Sequence, residues 1–88
     1  MPFGVHTLRT LINKGLFDNN QSVRNNIQGA IMHFFNIDDI IKYYQEKGQL
    51  LSLKILLDEY LAKGEDITLD FFKFSEYLLE KIMNIINQ

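Results

Sequence analysis

Two histidines are the side chains best suited to metal or acid–base chemistry in this 88-residue chain, and their spacing argues against both roles. His6 and His33 lie far apart, no cysteine is present, and no HxxxH spacing occurs. Protein zinc sites combine several such ligands, usually in short paired spacings. His33 also falls outside the apolar stripe of its predicted helix. We therefore interpret it as a partly exposed structural residue and expect no metal.

The acidic residues form neither a calcium loop nor a facing acid–base pair. If Asp18 is the first position of a calcium loop, Val23 stands where glycine is required and Gly29 where glutamate is required. Asp38 and Asp39 are adjacent, so on a helix they point about 100° apart. We interpret the first segment as a helix cap and the second as charges that favour a helix N-terminus.

Nucleophile and phosphate-binding motifs are missing as well. Ser22, Ser52 and Ser75 have no histidine in their sequence context. The segment 47–49, Lys-Gly-Gln, lacks the spacing and the Ser/Thr of a Walker motif. We therefore expect no catalytic residue, no cofactor and no enzyme activity.

The charge is nearly balanced, with nine basic and eleven acidic residues and a net charge of −2. Nucleic-acid binding relies on a basic stripe that neutralises phosphates, whereas the basic residues here are scattered among acids. One acidic cluster, Glu65, Asp66 and Asp70, surrounds the predicted start of the last helix. It either compensates the helix dipole or forms a patch for a basic partner.

Length and composition indicate a single helical domain over residues 1–88. Hydrophobic residues make up 47% of the chain, enough for a core that needs no disulfide. No apolar run approaches the ~20 residues that span a bilayer. Residues 1–10 lack the basic and apolar regions of a secretory signal. We expect a cytoplasmic protein that does not interact with membranes.

Apolar residues recur at helical spacing in five segments, and no alternating strand pattern is found. Gly15, Gly48 and Gly64 act as stop signals, while Asn36 and Thr68 can cap the helices that follow them. Short loops favour antiparallel neighbours. We predict an all-α fold, a compact antiparallel bundle of four to five helices. The predicted helices span residues 5–14, 21–35, 37–47, 49–63 and 68–87.

The fourth predicted helix carries two apolar stripes. This indicates a helix with neighbours on both sides, which would lie with the last helix at the centre of the bundle. The wider stripe contains Leu50, Leu53, Leu56, Leu57, Tyr60 and Leu61, and the narrower stripe contains Leu51, Ile55 and Ala62.

The last predicted helix has an apolar face that covers about half its circumference. An ordinary surface helix needs only a little over ~100°. We assign one row to the core and a second row to a partner, because the second row includes Met83, a flexible residue suited to adaptable surfaces. The alternative is that both rows are core. The core row is Phe71, Phe74, Leu78, Ile82 and Ile85; the partner-binding residues are Phe72, Leu79, Met83 and Ile86, with Glu65 and Asp66 as acidic contacts.

Two glycine-based patterns resemble helical repeats over residues 30–75. Gly29, Gly48 and Gly64 recur over 35 residues, a period similar to that of a pentatricopeptide hairpin. Residues 47–57, followed by Gly-Glu-Asp-Ile at 64–67, resemble the second helix of an ankyrin repeat. Either resemblance implies a helical-repeat hairpin.

A third pattern, Tyr-Leu-Ala-Lys at 60–63 followed by Ile67, Thr68 and Phe72, is similar to small helical bacteriocin immunity proteins.

The leading functional hypothesis is a small non-enzymatic protein-binding module, a regulator, inhibitor or immunity-type protein, that occludes a partner. A nucleic-acid-binding helical protein and a self-associating structural subunit are the alternatives. The partner is another protein or a second copy of the chain.

Overall fold

Five α-helices account for most of the protein in the computed structural model, which describes residues 5–63 and 66–88 and the side chains from residue 8 onward. They are α1 (Val5–Asn13), α2 (Gln21–Phe34), α3 (Ile37–Glu46), α4 (Leu50–Lys63) and α5 (Leu69–Ile86). A single 3₁₀ turn, Gly15–Phe17, separates α1 from α2. These residues include no strand. The predicted all-α bundle is confirmed.

The starts of α3 and α5 are fixed by side-chain caps, as the sequence predicts. Asn36 Oδ1 accepts a hydrogen bond from Asp39 N at 2.8 Å, and Thr68 Oγ1 accepts one from Phe71 N at 3.2 Å. Gly48 follows α3 with a φ of 66°, the left-handed conformation that ends helices at little steric cost. Gly64, the predicted stop of α4, lies outside the described residues.

The segment after α1 differs from the prediction. α1 ends at Asn13, but Gly15 begins the 3₁₀ turn and does not act only as a stop signal. A Cβ atom at Gly15 would lie 3.0–3.2 Å from side-chain atoms of Ile27. The missing side chain therefore lets the turn lie directly against α2 and bury Leu16.

Helix α5 lies at the centre of the bundle, where it packs against α2, α3 and α4. Its inner row buries Phe71, Ser75, Leu78 and Ile82. The small Ser75 side chain is completely buried, as expected where another element approaches closely. The radius of gyration is 12.2 Å, close to the ~12 Å of compact domains of this length. Other core residues are Leu8, Ile12, Leu16, Ile31, Phe35, Ile40, Ile41, Tyr43, Tyr44, Leu50, Leu53, Leu57 and Tyr60.

The predicted central position of α4 is wrong. Its wider stripe packs against α3 and α5, but Leu51 and Ile55 of the narrower stripe are 57% and 50% exposed, and Ala62 is exposed too. The elements in the described part of the chain cover only one side of this helix. An apolar stripe becomes core only where a neighbour is available to cover it.

The inward face of α2 also differs from the prediction. The helical spacing of Val23, Ile27, Ala30, Ile31 and Phe34 predicts that these residues share the buried face. Val23 and Phe34 are instead 36% and 37% exposed, whereas Gln28 and Phe35 are buried. Ile31 is buried, as predicted. The helix is therefore turned by roughly 70° from the face that apolar periodicity alone selects. The face that is buried includes Gln28, whose side chain forms two hydrogen bonds there.

Candidate partner-binding surface

One side of α5 carries a row of apolar residues next to the buried inner row. Phe72, Met83 and Ile86 are 38%, 37% and 40% exposed, while Leu79 between them is partly buried against the core. These four residues form one stripe because their positions on the helix lie within about 60° of one another. We call this stripe the α5 flank.

The orientation of the flank follows from contacts made by the opposite side of the helix. Phe71 and Ile82 are fixed in the core, with exposures of 2% and 0%. Phe71 stacks on Phe74, whose ring centroid is 5.7 Å away, and meets the Tyr60 ring edge-on at 5.9 Å. With this row held inward, the flank lies at the border between core and solvent. Phe74, assigned to the core from the sequence, is partly buried.

Two further features extend the flank. The sequence reasoning had placed Glu76 at its border but missed Leu69 and Glu80. Leu69, at the first position of α5, is 67% exposed and lies one turn before Phe72. Glu80 lies one turn after Glu76, and both carboxylates are exposed without an ion pair among the described residues. On a helix these glutamates border the flank on its outer side. The surface is thus an apolar stripe with an acidic edge.

Asp66, predicted to be an acidic contact for a partner, is instead bound within the chain. Its carboxylate forms an ion pair with Arg24 of α2 and accepts a hydrogen bond from Gln21 Nε2 at 3.0 Å. Arg24 Nη1 also donates to the Asp18 carbonyl oxygen at 2.6 Å. This carboxylate joins α2 to the segment before α5, so we remove it from the candidate surface. Glu65 lies outside the described residues.

Beside this ion pair lies a buried amide that the sequence reasoning did not identify. Gln28 has no exposed surface; its Nε2 donates to the Asp66 carbonyl oxygen at 2.8 Å, and its Oε1 accepts from Thr68 N at 3.0 Å. A signal was present in the sequence, because Gln28 lies one turn before Ile31. This spacing places a polar residue near the helical face that carries a core residue.

Comparison with known proteins does not identify this chain. No protein-family model, curated protein or solved structure matches it. The resemblances to pentatricopeptide and ankyrin hairpins and to bacteriocin immunity proteins therefore stay hypotheses drawn from the sequence.

The remaining chemical candidates do not come together into a site. His33 is exposed and meets the Phe34 ring edge-on at 4.6 Å between centroids. The side chain of His6 lies outside the described residues. Within the described part of the chain, no three His, Asp or Glu side chains form a group that could hold a metal ion. The same residues contain no helix with both the length and the apolar character needed to cross a bilayer.

Proposed function

We propose that this chain is a small non-enzymatic protein-binding module, of the regulator, inhibitor or immunity type, that occludes its partner through the α5 flank. The observation that carries the proposal is that Phe72, Met83 and Ile86 are each more than one-third exposed, on a helix whose inner row is buried in the core. Single exposed apolar residues are ordinary on protein surfaces. A continuous row with polar edges is typical of interaction sites.

The chemistry of the flank supports binding rather than catalysis. Its four side chains are apolar, and Glu76 and Glu80 of the same helix lie along one edge. Burial of apolar area stabilises a complex by about 25 cal/mol per Å² before the costs of association are subtracted. Met83 and Phe72 provide an adaptable and a rigid contact, respectively. The acidic edge favours a partner that combines an apolar patch with basic residues, because complementary charge speeds and orients encounter.

Self-association is the second candidate, and the exposed stripe of α4 favours it. Leu51 and Ile55 are both at least half exposed and lie one turn apart. A chain with apolar stripes on two helices could use one for its own copies and the other for a partner. The sequence alternative of nucleic-acid binding has no comparable support, since the flank carries an acidic edge.

Affinity capture from the native host, with wild-type chain and two variants as bait, tests the proposal. Met83→Glu places a charge in the α5 flank. Ile55→Glu makes the same change at a similarly exposed apolar position on α4 and serves as the matched control. We expect one stoichiometric protein to be retained by wild type and by Ile55→Glu, and to be lost with Met83→Glu. Circular dichroism and thermal unfolding should show that both variants stay folded.

Other outcomes would contradict the proposal. If Met83→Glu unfolds the domain as completely as Ile82→Glu, which places a charge at a fully buried position, the flank is part of the core. If Ile55→Glu alone dissolves an oligomer of the purified chain, self-association through α4 is the better explanation. Salt-sensitive retention on immobilised nucleic acid would favour the nucleic-acid alternative, since phosphate binding weakens steeply with salt.

A further inference from the structure

The α5 flank and two neighbouring residues have the spacing with which one helix packs along another. Leu69 extends the flank by one turn, and Glu76, at its edge, lies in line with Leu69 and Met83. The six residues are separated by three, four, three, four and three positions, as the a and d positions of a heptad are. We call them the α5 seam: Leu69, Phe72, Glu76, Leu79, Met83 and Ile86.

This spacing indicates an α-helix as the occupant of the seam. A row with heptad spacing drifts by about 20° per heptad around a straight helix, so it stays in contact with a second helix that crosses at about 20°. The seam extends for about 25 Å along α5, enough for four to five turns of a partner helix. The inner row of α5 has the same alternation of three and four and is covered by other helices of the bundle. That row is Phe71, Ser75, Leu78 and Ile82.

Glu76 places one carboxylate among the apolar residues of the seam. It is exposed and forms no ion pair with the described residues, and neither does Lys73 one turn before it. A helix that covers the seam takes this carboxylate partly out of water, which costs free energy unless the partner supplies a positive donor. A single polar residue at an a position selects the partner and its register in this way. Glu76 therefore favours a helix with arginine or lysine opposite it.

The same carboxylate disfavours a second copy of the chain as the occupant. In a parallel pair of α5 seams, the two Glu76 carboxylates would meet in one layer, where like charges repel. In an antiparallel pair centred on the seam, each Glu76 would face Leu79 of the other copy and lose water without gaining a partner. Both arrangements leave the charge uncompensated, which favours a different chain.

We propose that the α5 seam binds an amphipathic α-helix of another protein, with an arginine or lysine opposite Glu76. This inference rests on the proposed function, because it names the chemistry of the partner that the same surface binds. Large apolar residues of the partner helix pack against Phe72, Leu79 and Met83, and its basic residue forms an ion pair with Glu76. The apolar contacts provide affinity, while the ion pair selects which helix is bound.

Titration of trace amounts of labelled synthetic helices with the full chain, followed by fluorescence anisotropy, tests the proposal. Each peptide has three heptads with leucine at the a and d positions. Arginine replaces the central a leucine in one peptide, for parallel docking, and the central d leucine in another, for antiparallel docking. Matched peptides carry glutamate at the same places. We expect one arginine peptide to bind at least about tenfold more tightly than its glutamate counterpart.

Charge exchange at position 76 tests the ion pair directly. Glu76→Lys should reverse the preference, so that the glutamate peptide binds more tightly than the arginine peptide. Glu59→Lys, the same change at an exposed position of α4, should keep the wild-type preference. Circular dichroism should show that both variants are folded, because both positions are exposed. A preference that Glu76→Lys leaves unchanged would overturn the ion pair.

Two further results would overturn the proposal. The first is absence of binding by every peptide up to its solubility limit, which excludes a helix as the occupant. The proposed function would survive that result if Met83→Glu still lost the protein captured by wild type. The second is a stable oligomer of the purified chain, measured by sedimentation, that Met83→Glu dissolves and Ile55→Glu leaves intact. It would show that a second copy covers the seam.

Discussion

Gln28 and Thr68 are joined by a hydrogen bond across 40 residues of sequence, in which Thr68 N donates to Gln28 Oε1 at 3.0 Å. The same glutamine side chain binds the Asp66 carbonyl oxygen two residues earlier. Thr68 in turn caps α5 through its hydroxyl. One buried amide of α2 therefore binds the backbone of the segment that leads into α5.

We expect Gln28→Ala to lower the free energy of unfolding by about 2–3 kcal/mol. The change leaves two partly buried backbone groups, Asp66 O and Thr68 N, without a partner, and each such group costs about 1–3 kcal/mol. Asn25→Ala, at an exposed position on the same helix, is the control and should change stability by less than ~0.5 kcal/mol. Urea unfolding followed by circular dichroism measures both. Equal effects of the two variants would show that the Gln28 hydrogen bonds do not stabilise the fold.

Two glycines should respond to alanine in opposite directions. At Gly29 in α2, no side chain of the described residues lies within 4 Å of the point where a Cβ atom would stand. Gly29→Ala should therefore stabilise the chain by roughly 0.5–1 kcal/mol, because alanine lowers the backbone entropy of the unfolded state. Gly48 has a φ of 66°, and Gly48→Ala should cost about 1 kcal/mol because L side chains are strained there. Thermal unfolding of the two variants against wild type checks the sign of each, and a stabilising Gly48→Ala would contradict the assigned end of α3.

Tyr44 should make the fold sensitive to alkaline pH. Burial, and to a lesser extent the neighbouring Tyr43, raises the pKa of the Tyr44 phenol to about 12, while Arg9 acts in the opposite direction. The unfolded phenol loses its proton near pH ~10, so between about pH 10 and 12 the unfolded state holds fewer protons than the folded state. The stabilisation that the neutral, buried phenol gives to the fold is therefore complete below about pH 10 and is lost as the pH rises towards 12. Its size is at most ~2–3 kcal/mol.

Urea unfolding at several alkaline pH values, with phenolate absorbance recorded in parallel, measures this loss. Tyr44→Phe removes the titrating group and should flatten the decline, whereas Tyr77→Phe, on the exposed side of α5, should not. Burial also raises the pKa of Tyr60, with Arg24 opposing it, so part of the decline should persist in Tyr44→Phe. Since Tyr44 Oη is buried without a hydrogen-bond partner among the described residues, Tyr44→Phe should not destabilise the chain at neutral pH. An unchanged alkaline profile in this variant would contradict the buried position of Tyr44.

The two stripes of α4 should differ sharply in their tolerance of charge. Ile55→Lys should change the free energy of unfolding by less than ~0.5 kcal/mol, because the side chain is half exposed. Leu53→Lys should cost at least about 3 kcal/mol, since it places an unpaired charge at a position only 1% exposed. Thermal unfolding measures both variants. Comparable losses would mean that the narrower stripe is covered in the native protein.

The local features of this fold could be predicted from the sequence because their causes lie within a few residues. The cap at Asn36 binds an amide three residues later, and Thr68 does the same at α5. Gly48 adopts its left-handed conformation where apolar periodicity stops. The division of α5 into a buried row and the α5 flank also follows from spacing, since Phe71, Leu78 and Ile82 share one side of the helix.

The tertiary structure alone decided which apolar stripes are covered. The sequence shows that α4 is apolar at Leu51 and Ile55, but not that the described chain places no helix against them. Gln28 is similar: its position beside core residues is visible in the sequence, whereas its partners at residues 66 and 68 are brought to it only by folding. Periodicity records the side on which a helix is apolar, and burial depends on neighbours supplied by distant parts of the chain. The helices, their caps and the two sides of α5 were therefore determined locally, while the exposure of the narrower α4 stripe and the burial of Gln28 were determined by packing.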